Sequence, residues 1–213
     1  MGEAFRVIRN TGGFLIKAIT FIDTETTGLD SSVAEVIEVA AIRVEGGNER
    51  VFHTLIRPEH IHTAHPKALE INGYAAAPER WEDAPTMKEV GVDLLAFLKG
   101  SALCGHNVSF DEEMINSNLK RAGFQKRVPY HKVDTVTLAH EHLTPLGLPR
   151  LGLDPIRDFL GWGKEGAHTA LKDARDTQRL YNLTCRMGWK GKTRLRLYLW
   201  KRRILPFSPH TLA

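Results

Sequence analysis

The order of β-rich and helical segments along the chain most strongly limits the folds open to it. Three segments rich in β-branched residues come first, at Lys17–Asp23, Val33–Val44 and Arg50–Ile56, with turn residues before the third. A helical pattern at Thr86–Lys99, a short strand at Ala102–Gly105 and a second helix follow. We therefore expect an α/β fold in which a mixed sheet is flanked by helices.

Composition and cysteine content narrow the class of protein further. The 213 residues are 42% hydrophobic, which is typical of a globular chain with one main core. Two cysteines cannot build a disulfide scaffold, and no apolar run is long enough to cross a membrane. We expect a soluble, cytoplasmic protein.

The basic charge is concentrated at the end of the chain. Residues 1–185 carry 21 basic and 25 acidic residues, whereas residues 186–213 carry 8 basic and none acidic. Accordingly, we divide the chain into a main domain at 1–188 and a basic, aromatic extension at 189–213. Within the extension, Arg194–Lys201 alternates between apolar residues and basic or aromatic ones, and this pattern predicts a strand. The strand would either add to the edge of the sheet or contact a second subunit, or it would bind nucleic acid through its basic and aromatic face.

Two carboxylates end the first predicted strand. Asp23 and Glu25 are two residues apart, so a strand places both side chains on one face. The following Thr26-Thr27-Gly28 turns the chain tightly beside them. Taken alone, such a pair is also typical of a solvated strand end.

A third carboxylate faces an apolar helix stripe. The sequence Ser109-Phe110-Asp111-Glu112 has the form of a capping box and predicts a helix that begins at Ser109. At 100° per residue Asp111 falls near the middle of the stripe formed by the apolar residues of this helix. A carboxylate there is costly unless it is paired or holds a metal ion.

The last helix of the main domain repeats this feature. Asp173 lies at the edge of its apolar side, whereas Asp176 is predicted to point away from it. His168 precedes the helix in the loop Gly166-Ala167-His168. Four carboxylates gathered from three segments would repel one another, and divalent cations with a preference for oxygen, Mg²⁺ or Mn²⁺, would remove that conflict. Two such ions are the usual arrangement for phosphodiester hydrolysis.

Three motifs together resemble those of the DnaQ-like, or DEDDh, family of 3′–5′ exonucleases. They are FIDTETTGL at Phe21–Leu29, GHNVSFD at Gly105–Asp111 and HTALKDA at His168–Ala174, in the order and at the separations of that family. The family includes the proofreading subunit of bacterial DNA polymerase III, exodeoxyribonuclease X and ribonuclease T. The resemblance implies a ribonuclease H-like mixed five-stranded sheet flanked by helices.

The resemblance also implies roles for individual residues. It makes His168 the general base that takes a proton from the attacking water, and it places Asn107 near the substrate. Thr26, Gly28 and Leu29 would hold the terminal nucleotide. It also implies four ligands for two Mg²⁺ or Mn²⁺ ions, namely Asp23, Glu25, Asp111 and Asp173. These four acids and His168 are the expected catalytic residues.

The resulting hypothesis is a metal-dependent 3′–5′ exonuclease that releases nucleoside monophosphates. Its expected partners are single-stranded or frayed 3′ ends of DNA, with RNA as an alternative substrate, a polymerase or repair complex, and a second copy of the chain; no membrane is expected. Three other functions stay open: an RNA-processing exoribonuclease, a ribonuclease H-like endonuclease, and a non-catalytic nucleic-acid or polymerase-binding module. Five basic residues either follow a phosphate backbone or form a solvated face, namely Lys120, Arg121, Lys126, Arg127 and Lys132.

Overall fold

A computed structural model describes residues 18–185 and 189–204 and contains a five-stranded mixed sheet with the strand order β3-β2-β1-β4-β5. β1 pairs antiparallel with β2 and parallel with β4; β2 and β3 are antiparallel, and β4 and β5 are parallel. The expected mixed sheet is thereby confirmed. The strands are β1 (Ala18–Thr26), β2 (Val36–Glu45), β3 (Asn48–Leu55), β4 (Ser101–Gly105) and β5 (Lys132–Asp134).

Helices cover both faces of the sheet. The three longest helices of the main domain are close to the helical segments expected from the sequence, whereas one short helix after β3 was not expected. Three single-turn 3₁₀ helices lie at 61–63, 78–81 and 144–146. The α-helices are α1 (Pro66–Ile71), α2 (Met87–Leu98), α3 (Val108–Arg121), α4 (Thr135–Leu143), α5 (Leu153–Leu160), α6 (Ala170–Cys185) and α7 (Trp189–Ile204).

The alternation of β1 decides which side chains reach which helices. Ile22 belongs to the core that α2 and α3 form on one face, and Phe21 packs against Ala170 and Ala174 of α6 on the other. Because side chains alternate along a strand, Asp23 and Glu25 share the α6 side with Phe21. The central strand therefore carries its two acids toward the beginning of α6.

The start of α3 differs from the expected capping box. The helix begins at Val108, one residue before Ser109, and its N-cap Asn107 has a left-handed backbone with φ of 73° and makes no side-chain cap. The carboxylate of Asp134 instead accepts hydrogen bonds from the backbone N–H groups of Asn107 (3.1 Å) and Val108 (3.2 Å). It also caps α4 by accepting from Val136 N (2.8 Å). The capping box was wrong because the helix begins one residue earlier, where Asp134 of the neighbouring strand β5 accepts from two backbone N–H groups at its start.

The predicted strand in the basic extension is also wrong, since Arg194–Lys201 lies within helix α7. Leucines two residues apart suit a strand, but Leu195 and Leu199 are also four apart and share one helix face. Leu195 packs against the core formed by α4, α5 and α6, and Leu199 is 9% exposed, whereas Leu197 is 54% exposed. Packing on this second core selects the helical period in a segment rich in Lys, Arg and Leu, which are good helix formers.

Cys104 is buried and Cys185 is exposed, and both thiols are free. Among the helices of the described ranges, none has both the length and the apolar character that a membrane span requires.

Candidate active site

Three carboxylates meet where β1 runs past the first turn of α6. One carboxylate oxygen from each of Asp23, Glu25 and Asp173 lies within 4.8 Å of the other two. The pairing of β1 with β2 shifts register between Glu25 and Thr26, so the strand becomes irregular directly after the second acid. Asp173 is 9% exposed and lies on the buried side of α6, as its place beside the apolar stripe indicated.

Asp111 reaches the same strand end from the opposite face of the sheet. It lies in the first turn of α3 and is 4% exposed. Its Oδ1 accepts a hydrogen bond from Thr24 Oγ1 at 2.8 Å, and Thr24 lies between Asp23 and Glu25 on β1. The end of β1 thus brings together all four acids that the sequence singled out.

Burial and mutual repulsion disfavour the ionised forms of these groups. Burial raises the pKa of Asp23 well above its usual value, with further increases from Asp111, Asp173 and Glu25. The pKa of Glu25 is raised to about 8, first by burial and then by Asp173. Burial also raises the pKa of Asp111, to about 7, against the opposing effect of the Thr24 hydrogen bond. Without a counter-ion this group of acids is electrostatically strained.

A further acid beside the cluster was missed by the sequence analysis. Glu38 is the cross-strand partner of Glu25 on β2 and is 4% exposed. Its Oε1 lies 2.8 Å from Nε2 of His53 on β3. The signal was present in the sequence, because Glu38 interrupts an otherwise apolar strand segment, but only the register of β1 with β2 places it beside Glu25.

The donor set fits a hard divalent cation. The convergent ligands are carboxylate oxygens alone, whereas structural zinc sites are built with cysteine and histidine. Repulsion among the acids adds to the effect of burial on the pKa values of Asp23 and Glu25, and a bound cation would remove that repulsion. Asp23, Glu25 and Asp173 could share one ion, and Asp111 is placed to contribute from the other face.

His168 lies on the loop that leads into α6. Its backbone has a left-handed conformation with φ of 64°, and its side chain is 45% exposed. The backbone N–H of His168 lies 3.3 Å from Asp173 Oδ1, and its Nε2 lies 3.4 Å from Asp154 Oδ2. The backbone of the loop therefore contacts one of the clustered acids, whereas the imidazole contacts Asp154 and stays open to solvent.

A buried arginine, also missed from the sequence, lies behind this acid. Arg157 of α5 donates to Asp173 Oδ1 (2.6 Å), Asp176 Oδ2 (2.7 Å) and Asp154 Oδ1 (2.8 Å). The expectation that Asp176 points away from the apolar side was wrong: it is 4% exposed, and it also pairs with Lys172. Helical periodicity failed here because α5 packs on α6 and covers a face that an isolated helix would leave in water.

A cleft of about 570 Å³ adjoins the acids. Of the four residues expected to contact substrate, Thr26, Gly28 and Leu29 line it, and Leu29 is 85% exposed. Asn107 does not line this cleft and lies instead at the start of α3. Asn72 supports the cleft wall by donating from Nδ2 to Thr26 O at 3.0 Å.

The five basic residues near α3 do not form one continuous track. Arg121 donates to backbone carbonyls after β1, including Ser31 O at 2.8 Å, and Lys132 pairs with Glu112. Lys126 and Arg127 line a separate groove of about 1040 Å³ near the first residue of β4, away from the acids at the end of β1.

Comparisons with known proteins agree on one family. The family model RNase_T, described as exonuclease, matches residues 20–181. The DNA polymerase III subunit epsilon of Aquifex aeolicus is 35% identical over 163 residues, which cover 75% of this chain and 76% of that protein. The PolC-type DNA polymerase III of Thermotoga maritima is 35% identical over 162 residues, 75% of this chain but only 11% of the relative. The chain therefore spans about a tenth of the length of the PolC-type relatives that it matches.

A solved structure extends the likeness to the fold. Exonuclease I of E. coli in complex with a dT13 oligonucleotide superposes with a TM-score of 0.67 at 20% identity, over 88% of this chain and 44% of that one. The ribonuclease H-like arrangement of sheet and helices is therefore shared with that protein.

Proposed function

Because the chain belongs to the exonuclease family matched at residues 20–181, we propose that it is a metal-dependent 3′–5′ exonuclease that releases nucleoside monophosphates from DNA. The observation that carries the proposal is the approach of three carboxylates to within 4.8 Å at the end of β1, with Asp111 directly behind them. A binding module would have no use for such a group, since burial raises the pKa values of these acids and makes ionisation costly.

Two Mg²⁺ or Mn²⁺ ions are proposed as the cofactor. When bound, they would stabilise the attacking and the leaving oxygen of phosphodiester hydrolysis. Asp23, Glu25, Asp111 and Asp173 would hold them, because they are the acids gathered at this strand end.

His168 is proposed as the general base. An imidazole ring nitrogen can accept a proton from the attacking water, and this ring is open to the solvent from which that water comes. His168 precedes Asp173 by five residues, and the contact of its backbone N–H with Asp173 Oδ1 holds the loop that carries the imidazole next to this acid. The proton would then leave through solvent, to which the side chain is 45% open.

The cleft beside the acids is proposed to take the terminal nucleotide. Its size and mostly apolar lining suit a nucleoside, and the exposed Leu29 at its rim is placed to pack against a base. Thr26 Oγ1 donates to Gly28 O at 2.7 Å and so fixes the turn that lines this part of the cleft. The role of Asn107 near the substrate stays a prediction.

DNA is proposed as the substrate on the strength of the relatives, which are DNA polymerase III proteins by name. On the same ground a polymerase complex is a proposed partner. The division of the chain at residue 188 and the formation of a homodimer stay predictions.

Digestion of 5′-labelled oligonucleotides tests the proposed function. Single-stranded DNA, single-stranded RNA and matched duplexes are incubated with the protein in Mg²⁺ and in EDTA. We expect a ladder of products shortened from the 3′ end in Mg²⁺ only, with DNA preferred. Asp23→Ala should abolish the ladder, and the exposed Asp93→Asn on α2 serves as the matched control that keeps it. An Asp23→Ala protein that still shortened DNA in Mg²⁺ would refute the assignment.

A further inference from the structure

Arg157 uses all three nitrogens of its guanidinium group on three different carboxylates. Its side chain is 1% exposed, and it binds Asp154 on its own helix and both Asp173 and Asp176 on α6. An arginine is suited to this place because its planar group presents fixed donors, whereas a lysine offers a single point charge. The contact joins α5 to the first turns of α6.

The contact is specific to one oxygen of Asp173. Oδ1 accepts from Arg157 Nη2 at 2.6 Å and from the backbone N–H of His168 at 3.3 Å. Within the described part of the chain, no hydrogen bond uses Oδ2. With Oδ1 held by Arg157 and by the His168 N–H, the carboxylate keeps Oδ2 for a ligand.

The same guanidinium also reaches the proposed base. Asp154 accepts from Arg157 Nη1 through Oδ1, and its other oxygen, Oδ2, lies 3.4 Å from His168 Nε2. A continuous set of contacts therefore runs from Asp173 through Arg157 and Asp154 to the imidazole.

We propose that Arg157 is a positioning residue that fixes Asp173 for ion binding and ties it to the His168 imidazole through Asp154. The inference rests on the proposed function, because it assigns Arg157 a role toward the same ions and the same base. Two other roles are possible for a buried cation at this place. As a counter-ion, Arg157 would pair with Asp173 only until a divalent ion displaced it. As a structural clamp, it would stabilise the contact between α5 and α6 and have no effect on ion binding.

Titration of the metal-free protein with Mn²⁺ by calorimetry separates these roles. The variants are Arg157→Lys, which keeps the charge and loses the planar fork, and Arg157→Gln, which loses both. Positioning predicts that both bind Mn²⁺ about 10- to 100-fold more weakly, the usual effect of removing a group that orients a metal ligand. A displaced counter-ion predicts tighter binding in Arg157→Gln, and a structural clamp predicts unchanged affinity in the folded protein. Either result would overturn the proposal.

Arg175→Gln is the matched control. Arg175 is on α6 like Asp173, but it pairs with Glu49 and Gln178 at the surface. Its loss removes a positive charge from the same helix without touching the acids. We expect Mn²⁺ affinity within about twofold of the starting protein, because exposed charges are screened by water and salt.

A measurement on the unsubstituted protein covers the case in which the Arg157 variants do not fold. The arginine Nη–H signals, which report the contact of Arg157 Nη2 with Asp173, are followed in ¹H–¹⁵N spectra before and after addition of Mg²⁺. Positioning predicts a slowly exchanging Arg157 signal that shifts but stays protected when Mg²⁺ is added. Loss of that protection would show that the ion displaces the guanidinium and would overturn the proposal. If the unsubstituted protein bound neither Mn²⁺ nor Mg²⁺, the proposed function itself would fail, whereas unchanged affinity in the Arg157 variants would defeat only this inference.

Discussion

Neutralising Glu25 should stabilise the metal-free protein while it removes activity. The pKa of Glu25 is raised from 4.5 to about 8, so between these pH values the folded protein binds more protons than the unfolded chain. Its free energy of unfolding must therefore fall as pH rises through this window. At 1.36 kcal/mol per pKa unit, ionisation of Glu25 lowers the free energy of unfolding at pH 8 by about 4 kcal/mol. Screening by water in the open cleft reduces the expected loss to about 2–4 kcal/mol.

Urea unfolding at pH 5 and pH 8 in EDTA measures this effect. Glu25→Gln cannot ionise, so at pH 8 we expect it to exceed the unsubstituted protein in stability by the full amount, and at pH 5 by much less. Mg²⁺ should reduce the difference in stability between the two proteins at pH 8, because an ion that binds only the folded state of the unsubstituted protein stabilises it by mass action. Asp93→Asn, at an exposed position on α2, should leave the free energy of unfolding nearly unchanged at both pH 5 and pH 8. If Glu25→Gln were no more stable than the unsubstituted protein at pH 8, the electrostatic reasoning about the site would be refuted.

Three further predictions concern the base, the polarity and the basic extension. His168→Ala should lower the rate of hydrolysis about 10²- to 10⁴-fold and keep Mn²⁺ affinity; loss of that affinity in calorimetry would make His168 a ligand instead. Blocking the 3′ hydroxyl of a DNA oligonucleotide should stop its digestion, whereas blocking the 5′ end should not, and rapid cutting of circular single-stranded DNA would instead favour an endonuclease. In an Asp23→Ala background, ending the chain at residue 188 should weaken the binding of single-stranded DNA and flatten the dependence of that binding on salt. The double change Arg196→Gln and Trp200→Ala should have the same two effects, because both residues are exposed and lie one turn apart on α7. Equal affinities and equal salt slopes in fluorescence titrations would exclude the extension from substrate binding.

The four acids could be found from the sequence because each breaks a local pattern. Asp23 and Glu25 end an apolar strand, and Asp111 and Asp173 lie in or beside apolar helix stripes, so their burial contradicts what carboxylates normally do. No long-range information was needed to notice them. The order of strands and helices was likewise visible in local periodicity, which is why the sheet was expected correctly.

The features that were missed depend on contacts between distant segments. The partners of Arg157 on α6 lie 16 and 19 residues away, and no local pattern marks an arginine in a short helix as buried. Asp134 caps α3 from another strand, 26 and 27 residues from the donors that it binds. In α7 the leucines fit both a strand and a helix, and only packing on the second core separates the two.

Anomalous diffraction from crystals soaked in Mn²⁺ and a nucleoside monophosphate tests the central claim most directly. We expect Mn²⁺ peaks between the carboxylates of Asp23, Glu25, Asp111 and Asp173, with the phosphate beside them and the nucleoside in the cleft next to Leu29. Mn²⁺ bound elsewhere, or no ion among these acids at saturating concentration, would contradict the account.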